Sequence, residues 1–151
     1  MNNFFNKIHI LFCLLTCLAV QAAGQSQIAL PESKNKLVVI AHRGNHVDVP
    51  ENTIASFKEA IKAGADYVEM DLRTSKDGHL VVVHDATVDR TTNGKGKVSD
   101  MSLADLQALK VLNGSNKPHR IPEFSEVLKA CKGRINIYLD FKEADVAETW
   151  K

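Results

Sequence analysis

Glu69 and Asp71 are separated by one residue in the run Tyr67-Val68-Glu69-Met70-Asp71-Leu72. Side chains alternate between faces along an extended chain, so both carboxylates point the same way while Met70 faces the other. Two such oxygen donors can grip one hard cation, and a third carboxylate, Asp140, closes another strand-like run, Ile135 to Asp140. His42 and His84 also end apolar runs. An imidazole can take a proton from an attacking hydroxyl, and a second in its cationic form can deliver one to a leaving oxygen. Arg43 and Lys142 add fixed positive charge suited to phosphate oxygens. Together these residue types describe a metal-dependent phosphoryl site holding Mg²⁺ or Ca²⁺. No paired-cysteine motif points to a softer ion. No Gly-x-Ser-x-Gly elbow or Walker-type phosphate loop occurs.

The elements that must position these groups alternate in type. Leu37-Val38-Val39-Ile40-Ala41 is a continuous apolar run of the kind found in a parallel strand covered on both faces, and it ends at His42-Arg43-Gly44. From Asn52 the period becomes helical: Ile54, Phe57, Ala60 and Ile61 share a face, Asn52 or Thr53 can cap the start, and Gly64 can close the end. The carboxylate strand follows. Lys76-Asp77-Gly78 is a tight turn into Leu80 to Val83, which is either a small antiparallel excursion or the next barrel strand. Thr91 to Gly96 reads as an exposed loop. Ser102 and Asp105 form a capping pattern ahead of Leu103, Leu106 and Leu109. Pro122 opens a further helix with Phe124, Val127, Leu128 and Cys131 on its apolar face.

Strand ends carrying His42, Glu69 with Asp71, His84, and Asp140 with Lys142 match the top face of a TIM-type (β/α) barrel. A full barrel needs about 200 residues or more, and the sequence has 151. The fold class expected is therefore α/β, with about the first half of a barrel in residues 37–151, preceded by a lead-in at 23–36.

Residues 1–22 look like a secretory signal peptide: Lys7, an apolar run from Ile8 to Val20, then the small residues Ala22, Ala23 and Gly24, with cleavage after Ala22. This implies a secreted or periplasmic protein. An uncleaved anchor or lipid attachment at Cys17 are the alternatives. Cys13 and Cys17 fall within that segment, so Cys131 is left without an internal disulfide partner and reads as a small buried apolar residue. The formal net charge is +1, from 19 basic and 18 acidic side chains. Such a balance gives no electrostatic case for nucleic acid as a partner.

Taken in order, His42-Arg43-Gly44, Pro50-Glu51-Asn52-Thr53, Glu69-Met70-Asp71, Lys76-Asp77-Gly78, His84-Asp85 and Arg90-Thr91-Thr92-Asn93-Gly94 closely resemble the glycerophosphodiester phosphodiesterases. The resemblance runs from about Leu37 to Lys142 and covers the first half of the family's (β/α)₈ barrel. It implies cleavage of a small glycerophosphodiester, of the kind derived from membrane lipid, into glycerol phosphate and an alcohol. His42 and His84 are then the acid/base pair, and Glu69 and Asp71 are metal ligands. Asp140 with Lys142 stands at the family's Glu-x-Lys position, one methylene shorter in reach. Glu51 falls beside the site, against the metal or a substrate hydroxyl. The Asp-x-Lys variant also resembles the related phospholipase D toxins, which keeps lyase action on lysophospholipid or sphingolipid headgroups as an alternative. An inactive partial barrel, with unpaired sheet edges that promote self-association, is another.

Overall fold

The computed structural model describes residues 30–112 and 117–143. The signal-like segment 1–22, with Cys13 and Cys17, lies outside the described residues. The chain divides into two units, Met1–Pro31 and Glu32–Lys151, and every described helix and strand belongs to the second. Among the described residues, no helix is long and apolar enough to cross a membrane.

Strand β2, Tyr67–Thr74, is the axis of the sheet. Strand β4, Asn136–Phe141, runs parallel along one of its edges, in a register that sets Glu69 opposite Tyr138 and Asp71 opposite Asp140. The other edge is shared. Strand β1, Ile40–Ala41, pairs parallel with Tyr67 and Val68, and β3, Leu80–Val82, pairs antiparallel with Leu72 to Thr74. The Lys76-Asp77-Gly78 turn is thus a hairpin, which decides between the two readings of that segment: β3 is an excursion that folds back beside β2.

One face of β2 is apolar. Val68, Met70 and Leu72 are fully buried and pack with Phe57, Ala60, Phe124, Val127 and Cys131 in one core. Burying each large side chain contributes roughly 1.5–3 kcal/mol. The helices that supply this cover are α1, Ile54–Ala63, and α3, Phe124–Cys131. Thr53, not Asn52, caps α1, accepting from Ser56 N while Ser56 Oγ accepts from Thr53 N, and Gly64 ends the helix at φ 79°. The apolar face of α3 is narrower than its sequence suggests, because Leu128 points to solvent and is 42% exposed.

A second core lies beneath the segment after β3. Val81 and Val83 join it, while Val82, on the opposite side of the strand, joins the first. Val88, Val98, Leu106, Val111 and Ile121 complete it, with the short helix α2, Leu103–Ala108, capped by Ser102 and Asp105 and also held through Leu103 N–H to Asp77. The loop at 91–96 is exposed at Asn93, Lys95 and Gly96, as its polarity indicates, but not at Thr92. Thr92 is buried, donates to the Val88 carbonyl and accepts from Gly94 N, so its polar atoms are satisfied internally.

The run before β1 also differs from expectation. Only Ile40 and Ala41 form a strand, and Leu37, Val38, Val39 and Ile40 are between 44% and 77% exposed. Apolar β-branched composition reports what a strand is suited to. Cover must come from neighbours, and among the described residues β1 has only β2 beside it.

Candidate active site

The second face of β2 is polar along its length: Tyr67, Glu69, Asp71 and Arg73 alternate with the buried apolar residues. Parallel register brings Tyr138 and Asp140 of β4 alongside. Glu69, Asp71 and Asp140 converge there, each offering an oxygen within 4.8 Å of the others. Oxygens that share one Ca²⁺ at about 2.3–2.6 Å can lie no farther apart than about this.

Two cations border the cup. Lys142 Nζ is 2.5 Å from Asp140 Oδ2 and 3.3 Å from Asp71 Oδ1, and Arg43 Nε is 3.5 Å from Asp71 Oδ2. The contacts to Asp71 are ion-pair approaches without hydrogen-bond alignment, so Asp71 Oδ1 and Arg43 Nε stay buried and unbonded. Burial pushes the Glu69 carboxyl up. The Arg43 backbone N–H opposes that, Asp71 reinforces it, and the smaller effects of His42 and Asp140 act in opposite directions. Lys142 is raised, chiefly by its bond to Asp140. Three carboxylates facing two cations, with one buried carboxylate oxygen unbonded, fit a hard divalent cation as the missing partner.

The loop after β1 is built to reach this cup. Gly44 has φ 81°, and a Cβ there would lie 2.7 Å from the Ser56 backbone, so no other residue fits. Arg43 and Asn52 also have positive φ, at 55° and 54°. For Arg this is an uncommon conformation. It is held by three bonds: Arg43 N–H donates to Glu69 Oε2 at 2.7 Å, and its carbonyl accepts from Asn52 N and Ser56 Oγ. Asn52 Nδ2 in turn donates to Asp71 Oδ2 at 2.7 Å.

His84 follows β3. Arg73 Nε donates to its carbonyl at 2.9 Å, and its Nδ1 lies 2.6 Å from Asp85 Oδ1. Arg90 bonds both Asp85 and Glu51, and Glu51 accepts from Arg43 Nη1 at 3.1 Å. Arg90 holds the Asp85 carboxyl well below the usual carboxylate range, and Glu51 is also lowered, first by its bond from Arg90. His42 is exposed, and its side chain hydrogen-bonds to no other described residue.

Of the residues singled out from sequence, Arg43, Glu51, Glu69, Asp71, Asp140 and Lys142 are thus joined by direct contacts, and His84 is tied to them through Asp85 and Arg90. His42 lies close enough to Glu69 for its charge to act on that carboxyl. Three further residues take part: Asn52, Asp85 and Arg90. All three stand inside recognised strings, but only the fold reveals what they touch.

A family model described as the Glycerophosphoryl diester phosphodiesterase family matches residues 42–150. A glycerophosphodiester phosphodiesterase of Bacillus subtilis is 36% identical over 157 aligned positions, covering 93% of this chain and 53% of the relative. The crystal structure of a glycerophosphodiester phosphodiesterase from Agrobacterium tumefaciens superposes with a TM-score of 0.70 at 38% identity, over 73% of this chain and 49% of that one. A phosphodiesterase from Oleispira antarctica, solved in complex with the product sn-glycerol-3-phosphate, superposes with a TM-score of 0.65 at 31% identity, over 72% of this chain and 45% of that one. The described elements are part of a (β/α) barrel, and the chain spans about half the length of these relatives.

Proposed function

The chain belongs to the glycerophosphoryl diester phosphodiesterase family, and from that premise we propose that it hydrolyses glycerophosphodiesters to glycerol phosphate and an alcohol. The observation that carries this reading is the convergence of Glu69, Asp71 and Asp140 from two adjacent parallel strands, with oxygens within 4.8 Å of one another. Those three side chains would hold a divalent cation, Mg²⁺ or Ca²⁺. When bound, such an ion polarises a phosphoryl oxygen and offsets the charge that develops there.

The chain's own groups do the rest. Arg43 and Lys142, already at ion-pair distance from Asp71, orient the phosphate from either side of the cup. One histidine of the pair His42 and His84 removes the proton from a neighbouring glycerol hydroxyl as that oxygen attacks phosphorus. The other gives a proton to the departing alcohol oxygen. Water then opens the cyclic phosphate by the reverse pair of transfers, leaving glycerol phosphate. Glu51, bonded to Arg43, sets where that guanidinium stands and borders the space for the substrate hydroxyls.

The test is release of glycerol phosphate from glycerophosphocholine with and without EDTA. Turnover that EDTA stops and Mg²⁺ or Ca²⁺ restores is expected. Turnover that persists in chelator, or in His42→Ala, overturns the reading. Export through the segment 1–22 belongs to the same proposal, and N-terminal sequencing of the mature protein is expected to begin at Ala23.

A further inference from the structure

In the string Arg90-Thr91-Thr92-Asn93-Gly94, Thr92 and Gly94 serve the packing of their own loop. Arg90 instead reaches back to the site. A guanidinium has two edges, each able to meet a carboxylate through two N–H donors. Arg90 uses both. Nε and Nη2 donate to Asp85 Oδ2 and Oδ1 at 2.7 and 3.1 Å, and Nη1 and Nη2 donate to Glu51 Oε2 and Oε1 at 3.1 and 2.8 Å. Each carboxylate then holds one group of the site: Asp85 Oδ1 is 2.6 Å from His84 Nδ1, and Glu51 Oε1 accepts from Arg43 Nη1 at 3.1 Å.

An ionised carboxylate is an acceptor only, so the proton in the His84 contact belongs to Nδ1, and Nε2 is the nitrogen left for chemistry. The His84 backbone is independently held by Arg73. What Asp85 adds is the rotation and tautomer of the ring.

We propose that Arg90 is a positioning residue whose two carboxylate contacts fix the His84 ring, through Asp85, and the Arg43 guanidinium, through Glu51, in one frame. The proposal rests on the hydrolytic reading above, where His84 moves protons and Arg43 holds phosphate. Half of the Arg90 side chain is exposed, so its ion pairs contribute little to stability on their own. Their value lies in geometry: one rigid planar group ties the loop of Asp85 to Glu51, which is 39 residues from Arg90 in sequence.

The experiment is long-range ¹H–¹⁵N correlation of the His84 ring in the full chain at alkaline pH, alongside glycerophosphocholine turnover, for wild type, Arg90→Gln, Arg90→Lys and Asp85→Asn. Wild type is expected to hold a single tautomer protonated at Nδ1. In Arg90→Gln and Arg90→Lys alike, that pattern is expected to give way to a tautomer mixture and turnover to fall by about 10- to 100-fold, since an ammonium cannot replace the fork. Asp85→Asn, which leaves Arg90 on Glu51, is expected to shift His84 in the same way and serves if the Arg90 variants do not fold. An unchanged His84 pattern in Arg90→Gln, or in Asp85→Asn, overturns the proposal, as does full turnover in Arg90→Lys. A His84 pattern that shifts as expected in a chain without turnover supports the positioning role and rejects the hydrolytic reading instead.

Discussion

The acidic cup and the Arg90 network are neighbours that share Arg43, yet they are balanced in opposite ways. In the cup, Glu69, Asp71 and Asp140 crowd together, Glu69 is pushed up by burial, and Asp71 Oδ1 is left without a hydrogen bond. In the network, Glu51 and Asp85 face Arg43 and Arg90, every carboxylate oxygen has a directed donor, and both acids are lowered. One region satisfies its carboxylates from within the protein. The other groups three carboxylates that could hold a metal ion. A site that must bind charge and a frame that must hold it still are expected to differ in this way, because unmet electrostatic demand is what gives a ligand its differential free energy.

The largest expected effect breaks the comparison at His84. His84→Ala removes the group that the frame serves, and kcat should fall by about 10²–10⁴-fold while circular dichroism stays unchanged. A folded His84→Ala protein with normal turnover would detach the network from the chemistry.

Next in size, adding Ca²⁺ or Mg²⁺ to the metal-free protein should raise its stability by about 2.7 kcal/mol at a hundredfold excess over Kd. Calorimetry should show the gain lost in Asp71→Asn and kept in Glu51→Gln. Equal gains in both variants would erase the distinction between the two regions.

Asn52→Ala probes the seam between loop and cup. It deletes the bond to the buried Asp71 carboxylate, at a cost of about 1.5–3 kcal/mol, to be read from urea denaturation of the metal-free protein.

The smallest effects concern pH, and they carry opposite signs. Glu51 and Asp85 are lowered on folding, so their contribution is present above the unfolded carboxylate range near 4 and is lost as pH falls through their folded values. Glu69 is raised, so its contribution is full below that range and is lost as pH climbs through the raised value. In metal-free protein, Glu69→Gln should therefore gain stability over wild type on going from pH 4 to neutrality. Arg90→Gln should flatten the acid-side loss, by up to about 1 kcal/mol per exposed pair. Denaturation midpoints measured across pH would show both, and a Glu69→Gln profile parallel to wild type would remove Glu69 from the cup's unmet demand.

Much of the cup was legible because it is written in period two. Glu69 and Asp71 share a face by spacing, and Asp140 with Lys142 ends a strand that pairs alongside. The frame was legible only as strings. Nothing in a linear sequence pairs Arg90 with Glu51, and Asn52 looked as much like a helix cap as Thr53 until its positive φ turned it toward Asp71. The Leu37 to Ala41 run misled for a related reason. Its composition is suited to a strand covered on both faces, but burial depends on neighbours whose positions local sequence does not encode.

The hairpin beside β2 has a consequence for how the histidine is addressed. Val82 serves one hydrophobic cluster while Val81 and Val83 serve the other, so deleting a single residue between Gly78 and Leu80 would swap the allegiance of all three valines. His84 would then be carried round to the opposite side of the strand. The place of His84 is in effect counted off from the turn, and a change of length there would move it more surely than a change of chemistry nearby.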